Sequence, residues 1–150
     1  MKGKTHFYAG VLVVLFFLFF SKINLENLIF SLFFLIGCMF PDIDHMNSIV
    51  GKKFKIIGWA FKHRGFFHSL FGLILISLIF YPFNVLVSIF FALGYLLHLL
   101  LDMLSKKGVK LFIIGPSIKG ELIVGEFSET LISFVFKISI FVLIFFLFFI

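Results

Sequence analysis

Residues 83–102 read Phe83-Asn84-Val85-Leu86-Val87-Ser88-Ile89-Phe90-Phe91-Ala92-Leu93-Gly94-Tyr95-Leu96-Leu97-His98-Leu99-Leu100-Leu101-Asp102. No charged side chain interrupts the run from Phe83 to Leu101. A bilayer crossing takes about 20 apolar residues, with a usual range of about 17–25, so this run predicts a transmembrane helix. His98 and Asp102 stand at its far end, related as i and i+4, and therefore project from one helix face. Ionisable groups near hydrocarbon are costly and point to function when they have partners.

The whole chain fits that solvent. It is 62% hydrophobic and 13% charged, with 27 phenylalanines among 150 residues and a mean hydropathy of +1.23. That is too apolar and too poorly charged for a soluble domain. Further apolar runs lie at Phe7–Phe20, Leu25–Phe40, Phe66–Tyr81 and Leu131–Ile150. The expected fold is an all-α membrane protein, residues 1–150 forming one domain of about five transmembrane helices. They are arranged as two helical hairpins, turning at Ser21–Asn24 and Tyr81–Asn84, plus a C-terminal span. The first three runs are short, and each helix is expected to continue through its polar end at headgroup level. A small β-hairpin or re-entrant flap is expected in the loop before the last helix. There Gly115–Gly120 separates the β-like runs Val109–Ile114 and Glu121–Val124. The start of the chain looks like a signal peptide but lacks a small-residue cleavage pattern after Phe20, so it reads as an uncleaved first span. Cys38 is the one cysteine, so no intramolecular disulfide can form.

The basic residues orient the bundle. Lys2, Lys4, Lys52, Lys53, Lys55, Lys62, Arg64, Lys106, Lys107, Lys110 and Lys119 fall on one face, against Lys22 opposite. The positive-inside rule puts that face and the N-terminus in the cytoplasm and the C-terminus outside the cytoplasmic (inner) membrane. The same excess suits anionic lipid headgroups or phosphorylated substrates.

All five histidines and all three aspartates fall on the basic face. His6 opens the first span, Pro41-Asp42-Ile43-Asp44-His45 follows the second, His63-Arg64-Gly65-Phe66-Phe67-His68 opens the third, and His98 with Asp102 closes the fourth. Pro41 should interrupt its helix and free backbone for an irregular turn. Glycine recurs in step, with Gly10 after His6, Gly72 after His68, and Gly37 and Gly94 on the returning helices. Such residues let neighbouring helices pack closely beneath each histidine. Each member has a plainer reading: a histidine anchors at the interface, an aspartate caps a helix, an arginine sets topology. Their shared sidedness favours a common centre. His6, Asp42, Asp44, His68, His98 and Asp102, with His45 more weakly, supply imidazole and carboxylate donors for about two divalent ions, Zn first and Mn or Fe as alternatives. His63 is a candidate acid/base, and Arg64 a candidate stabiliser of oxyanion charge.

Thr5-His6 with Gly10, Pro41-Asp42-Ile43-Asp44-His45, His63-Arg64-Gly65 with His68-Ser69, and Gly94-Tyr95 with His98 and Asp102 together resemble the YdjM-type family. These are LexA-binding, inner-membrane-associated, metal-dependent hydrolases. The likeness continues through Gly108-Val109, Pro116 and Glu129. It implies an integral membrane protein with metal-dependent hydrolase activity, and it adds Glu129 as a late ligand or supporting residue. Phe67 departs from the pattern, because the family often has a small polar residue before the second histidine. No DNA-binding motif accompanies the family's reference to LexA, and no nucleic-acid partner is expected.

The expected function is therefore a membrane-bound hydrolase with a cytoplasm-facing two-metal site, acting on a phosphoester or lipid-linked substrate. Membrane lipid is the expected partner; the oligomeric state is not legible. A metal or proton transporter would place its His and Asp near the bilayer midplane instead. A non-catalytic scaffold would need no converging ligands.

Overall fold

The computed structural model describes residues 3–48, 50–60, 63–112, 115–120 and 126–149, with side chains through 130–146 of the last stretch. The chain is mostly helical: α1 (Gly3–Phe20), α2 (Leu25–Met39), α3 (Lys55–Ala60), α4 (Leu70–Phe80), α5 (Val85–Met103) and α6 (Glu126–Phe149). α2, α5 and α4 begin at side-chain caps. Asn24 Oδ1 accepts from the Asn27 amide at 2.8 Å, Asn84 Oδ1 from Val87 at 3.1 Å, and Ser69 Oγ from Gly72 at 3.1 Å. Each satisfies an amide that the first helical turn leaves unbonded.

Among the described residues, three helical segments are long and apolar enough to cross a membrane: Gly3–Phe20, Leu25–Asp44 and Val85–Met103. Leu70–Phe80 and Thr130–Phe146 are apolar but shorter. The second segment includes the 3-10 turn Phe40–Asp44, with Pro41 in its first positions, where its missing amide donor is tolerated. The third apolar run does not continue as one helix through His68. A 3-10 turn (Phe66–His68) is followed by Ser69 in extended backbone, and α4 starts only after this cap.

α2 and α5 form the centre. An added Cβ on Gly37 would strike the Phe91 carbonyl, and one on Gly94 would strike the Phe34 carbonyl, so each glycine seats the other helix's backbone. α1 packs on α2, and α4 on α5. α6 lies along α1 and runs parallel to it: Lys137 Nζ stands 5.1 Å above the Tyr8 ring, and Ile138 and Val142 share a groove with Leu12, Val13 and Phe16. The burial pattern is that of a protein in lipid. Phe20, Leu25 and Phe83 are exposed, whereas His6, His68, His98 and Asp102 are buried.

Among the described residues no strand forms. In place of the expected hairpin, an isolated antiparallel bridge joins Val109 and Ile118, with both amide–carbonyl bonds at 2.9 Å. Residues 113–114 and 121–124 of the two expected arms lie outside the described residues. The segment after α5 nevertheless folds back: Val109 enters the apolar core beside Ile43, Phe67, Tyr95 and Leu99, and Leu111 O accepts from the Leu70 amide at 2.9 Å.

Candidate metal centre

The start of α1, the turn after α2, the turn before α4 and the end of α5 meet at one point. His6, His68 and His98 are fully buried there, with Asp42, Asp44 and Asp102 beside them. Asp102 Oδ1 lies 3.3 Å from His6 Nε2, and its Oδ2 lies 3.5 Å from His68 Nε2 and 3.9 Å from His98 Nε2. Asp42 Oδ1 is 3.9 Å from His68 Nε2 and 3.8 Å from His98 Nε2. The rings of His6 and His98 stack, centroids 3.9 Å apart.

The outward-turned nitrogens fix the tautomers. His98 Nδ1 is 2.8 Å from the Cys38 carbonyl, which can only accept, so that nitrogen carries the proton. His68 Nδ1 is 3.2 Å from Asp44 Oδ2 and donates to the carboxylate. Both Nε2 atoms are then left with lone pairs, and they face each other at 3.3 Å. Two buried lone pairs so close repel unless a cation or proton lies between them. His6 Nδ1 is buried without a hydrogen-bond partner, while its Nε2 faces the Asp102 carboxylate.

These observations fit a metal ion. Donors at about 2.0–2.2 Å from a tetrahedral ion lie roughly 3.3–3.6 Å from one another, and the Nε2 and carboxylate separations here run from 3.3 Å to 3.9 Å. Three overlapping groups have suitable spacing: His6, His98 and Asp102; Asp42, His68 and His98; and Asp44, His63 and His68.

The remaining candidates occupy the rim. His63 is partly exposed, with its Nδ1 2.8 Å from Asp44 Oδ1. Arg64 has a left-handed backbone, φ 63°, and its amide donates to Asp44 Oδ2 at 3.2 Å. Its guanidinium donates to the Gly108 carbonyl at 2.6 Å and to Asp102 Oδ1 at 3.4 Å. His45 belongs to none of the three donor groups. Its ring packs edge-on against His63, centroids 4.6 Å apart. Glu129 is in α6, but its side chain lies outside the described residues. Phe67 points into the apolar core rather than toward the histidines.

Sequence reasoning missed the supports. The Tyr95 hydroxyl donates to the Phe67 carbonyl at 2.5 Å, and Cys38 Sγ donates to the His6 carbonyl at 3.3 Å. Each fixes the backbone that presents a histidine. The signal was available, since both residues directly follow the glycines Gly37 and Gly94.

A family model described as YdjM inner membrane protein matches residues 1–149. The chain belongs to that family. Its relatives include the inner membrane protein YdjM of Escherichia coli, 39% identical over 90 residues that cover 51% of this chain and 45% of that protein. The Shigella flexneri protein of the same name matches equally. The chain thus spans about half the length of these curated YdjM proteins. The uncharacterized protein YvsG of Bacillus subtilis is 28% identical over 142 residues, covering 88% of this chain and 87% of YvsG. No solved structure matches. This YdjM-family chain is therefore a membrane protein in which a buried His/Asp cluster has the geometry to hold a metal ion.

Proposed function

We propose that this protein is a membrane-bound, metal-dependent hydrolase whose ion is held by His6, Asp42, His68, His98 and Asp102. The observation that carries the reading is the pair of facing Nε2 lone pairs on His68 and His98. The reading takes one ion at this cluster, where the sequence suggested about two. His98 Nε2 is shared between two donor groups and cannot serve two ions, and His68 reaches Asp44 through Nδ1, which carries its proton. Asp44, which accepts from both His63 and His68, is then a positioning carboxylate that fixes the tautomer and ring orientation of His68.

When bound, a Zn, Mn or Fe ion would supply Lewis acidity toward a phosphoryl or carbonyl oxygen and acidify water. The chain's own residues supply the rest. With its Nδ1–H held by Asp44, His63 keeps Nε2 free at the partly exposed rim and moves the proton. Arg64 has N–H donors beyond those given to Gly108 and Asp102, and these stabilise oxyanion charge. The basic face favours a phosphoester, including a lipid phosphate, at the cytoplasmic surface of the inner membrane.

Metal analysis of detergent-purified protein tests the proposal. About one equivalent of divalent metal is expected, lost in the His98→Ala/Asp102→Ala double variant. Equal trace metal in both would sink the hydrolase reading, and two equivalents would sink the one-ion centre. Phosphodiester and phospholipid hydrolysis by the loaded protein, with peptide and lipid-amide controls, then tests the reaction class.

A further inference from the structure

Residues 51–60 were legible only as loop, yet they form a surface unlike the rest of the site face. A short turn (Gly51–Lys53) leads into α3, Lys55–Ala60. Ile57 packs against the core cluster. An added Cβ on Gly58 would meet the Asp44 carbonyl at 3.2 Å, so the segment is seated directly on the turn that carries Asp42 and Asp44. Its other side is bare. Ile56 is 82% exposed, Trp59 83% and Phe54 49%. Ile56 and Trp59 are i and i+3, so they share one face of α3. Lys52, Lys53 and Lys55 surround them, all exposed, and no carboxylate among the described residues pairs with them.

We propose that residues 51–60 form an interfacial anchor that recognises an anionic phospholipid surface. Ile56 and Trp59 sit among the headgroups, and Lys52, Lys53 and Lys55 sit beside the phosphates. The occupant follows from chemistry and position. The segment packs on the end of the membrane-crossing segment Leu25–Asp44, so its level is that of the bilayer surface. Exposed Trp and Ile flanked by unpaired lysines are the composition of an interfacial amphipathic segment. Each lysine near an anionic surface favours contact by roughly fivefold. Seated on Asp44, the anchor would also hold the rim residue His63 at headgroup depth.

The test uses the protein's one tryptophan, which is Trp59. The full chain is placed in nanodiscs of phosphatidylcholine alone or with about one third phosphatidylglycerol, leaving both faces open to solvent. Acrylamide quenching of Trp59 should fall, and its emission shift to the blue, when phosphatidylglycerol is present. Lys52→Gln/Lys53→Gln/Lys55→Gln should remove about half or more of that protection, as should high salt. These side chains are exposed, and an unchanged circular dichroism spectrum would show the triple variant folded. Equal quenching in the two lipids would overturn the proposal, as would a water-like Trp59 in both, the result expected if a protein partner covers this face. Protection that survives the triple variant would overturn the role given to the lysines.

Discussion

At the scale of single residues, Asp42 and Asp44 make the sharpest contrast. They share one turn, yet Asp42 faces the Nε2 atoms of His68 and His98, whereas Asp44 faces the Nδ1 atoms of His63 and His68. Asp44→Asn should keep the metal stoichiometry but weaken affinity by about 10–100-fold, measured by chelator competition. Asp42→Asn removes an anionic donor from the cluster itself and should cost more affinity than Asp44→Asn. The reverse order would exchange their roles. The sequence showed that both aspartates were near the site because Pro41 ends the helix there. It could not show which one pointed inward. In a 3-10 turn, residues i and i+2 diverge by about 120°, and the turn type depends on packing that no local pattern encodes. His98 and Asp102 were legible for the opposite reason: i and i+4 on an unbroken helix share a face. His45 was read as a weaker ligand from its place in the Pro41–His45 stretch, and its ring packs against His63.

At the scale of elements, the glycines decide how closely the helices approach. Gly94 lies against the Phe34 carbonyl and Gly37 against the Phe91 carbonyl, so a methyl on either must push two backbones apart. Gly94→Ala should destabilise the fold by about 1–3 kcal/mol, read as a lower midpoint in thermal unfolding in detergent. Gly10→Ala should cost less. Its new methyl would meet Cys38 Sγ at 3.1 Å and Leu35 Cδ2 at 3.2 Å, the latter the end of a side chain that can turn. Equal losses would mean that the α2–α5 crossing is not the tightest contact. The sequence displayed the recurring glycines and correctly implied close packing beneath the histidines, where Gly10 meets Cys38 and Gly72 meets the Tyr95 hydroxyl. It did not reveal that Gly37 and Gly94 seat one another across the two hairpins, because that pairing is a property of the assembled bundle. The helix α3 escaped because Lys55–Ala60 is too short for a periodic pattern.

At the scale of the molecule, two related hairpins carry the polar residues to one end, and α6 adds a direction. Ser31, Phe34, Gly37 and Cys38 on α2 are matched in spacing by Ser88, Phe91, Gly94 and Tyr95 on α5. The matched pairs are all buried or at the helix crossing, which is how a parallel repeat brings both polar ends to one level. α6 then runs parallel to α1, with Lys137 beside Tyr8 near the site end and Ile138 and Val142 beside Leu12 and Phe16 further along. Its C-terminal half therefore travels away from the metal-centre end. Lys52, Lys53, Lys55 and Arg64 on that end, against Lys22 at the Ser21–Asn24 turn, lead by the positive-inside rule to the expectation that the site faces the cytoplasm. A five-span topology with the C-terminus outside is our proposal, which needs Leu70–Phe80 and α6 to cross beside the three segments long and apolar enough to do so. Alkaline phosphatase fused after Ile150 should be active in cells, and green fluorescent protein fused there should be dark. A fluorescent fusion at the C-terminus would overturn either the span count or the orientation. A second reporter in the Tyr81–Asn84 turn separates the two: activity there keeps the orientation and means that α6 does not cross, and its absence means that the orientation is reversed.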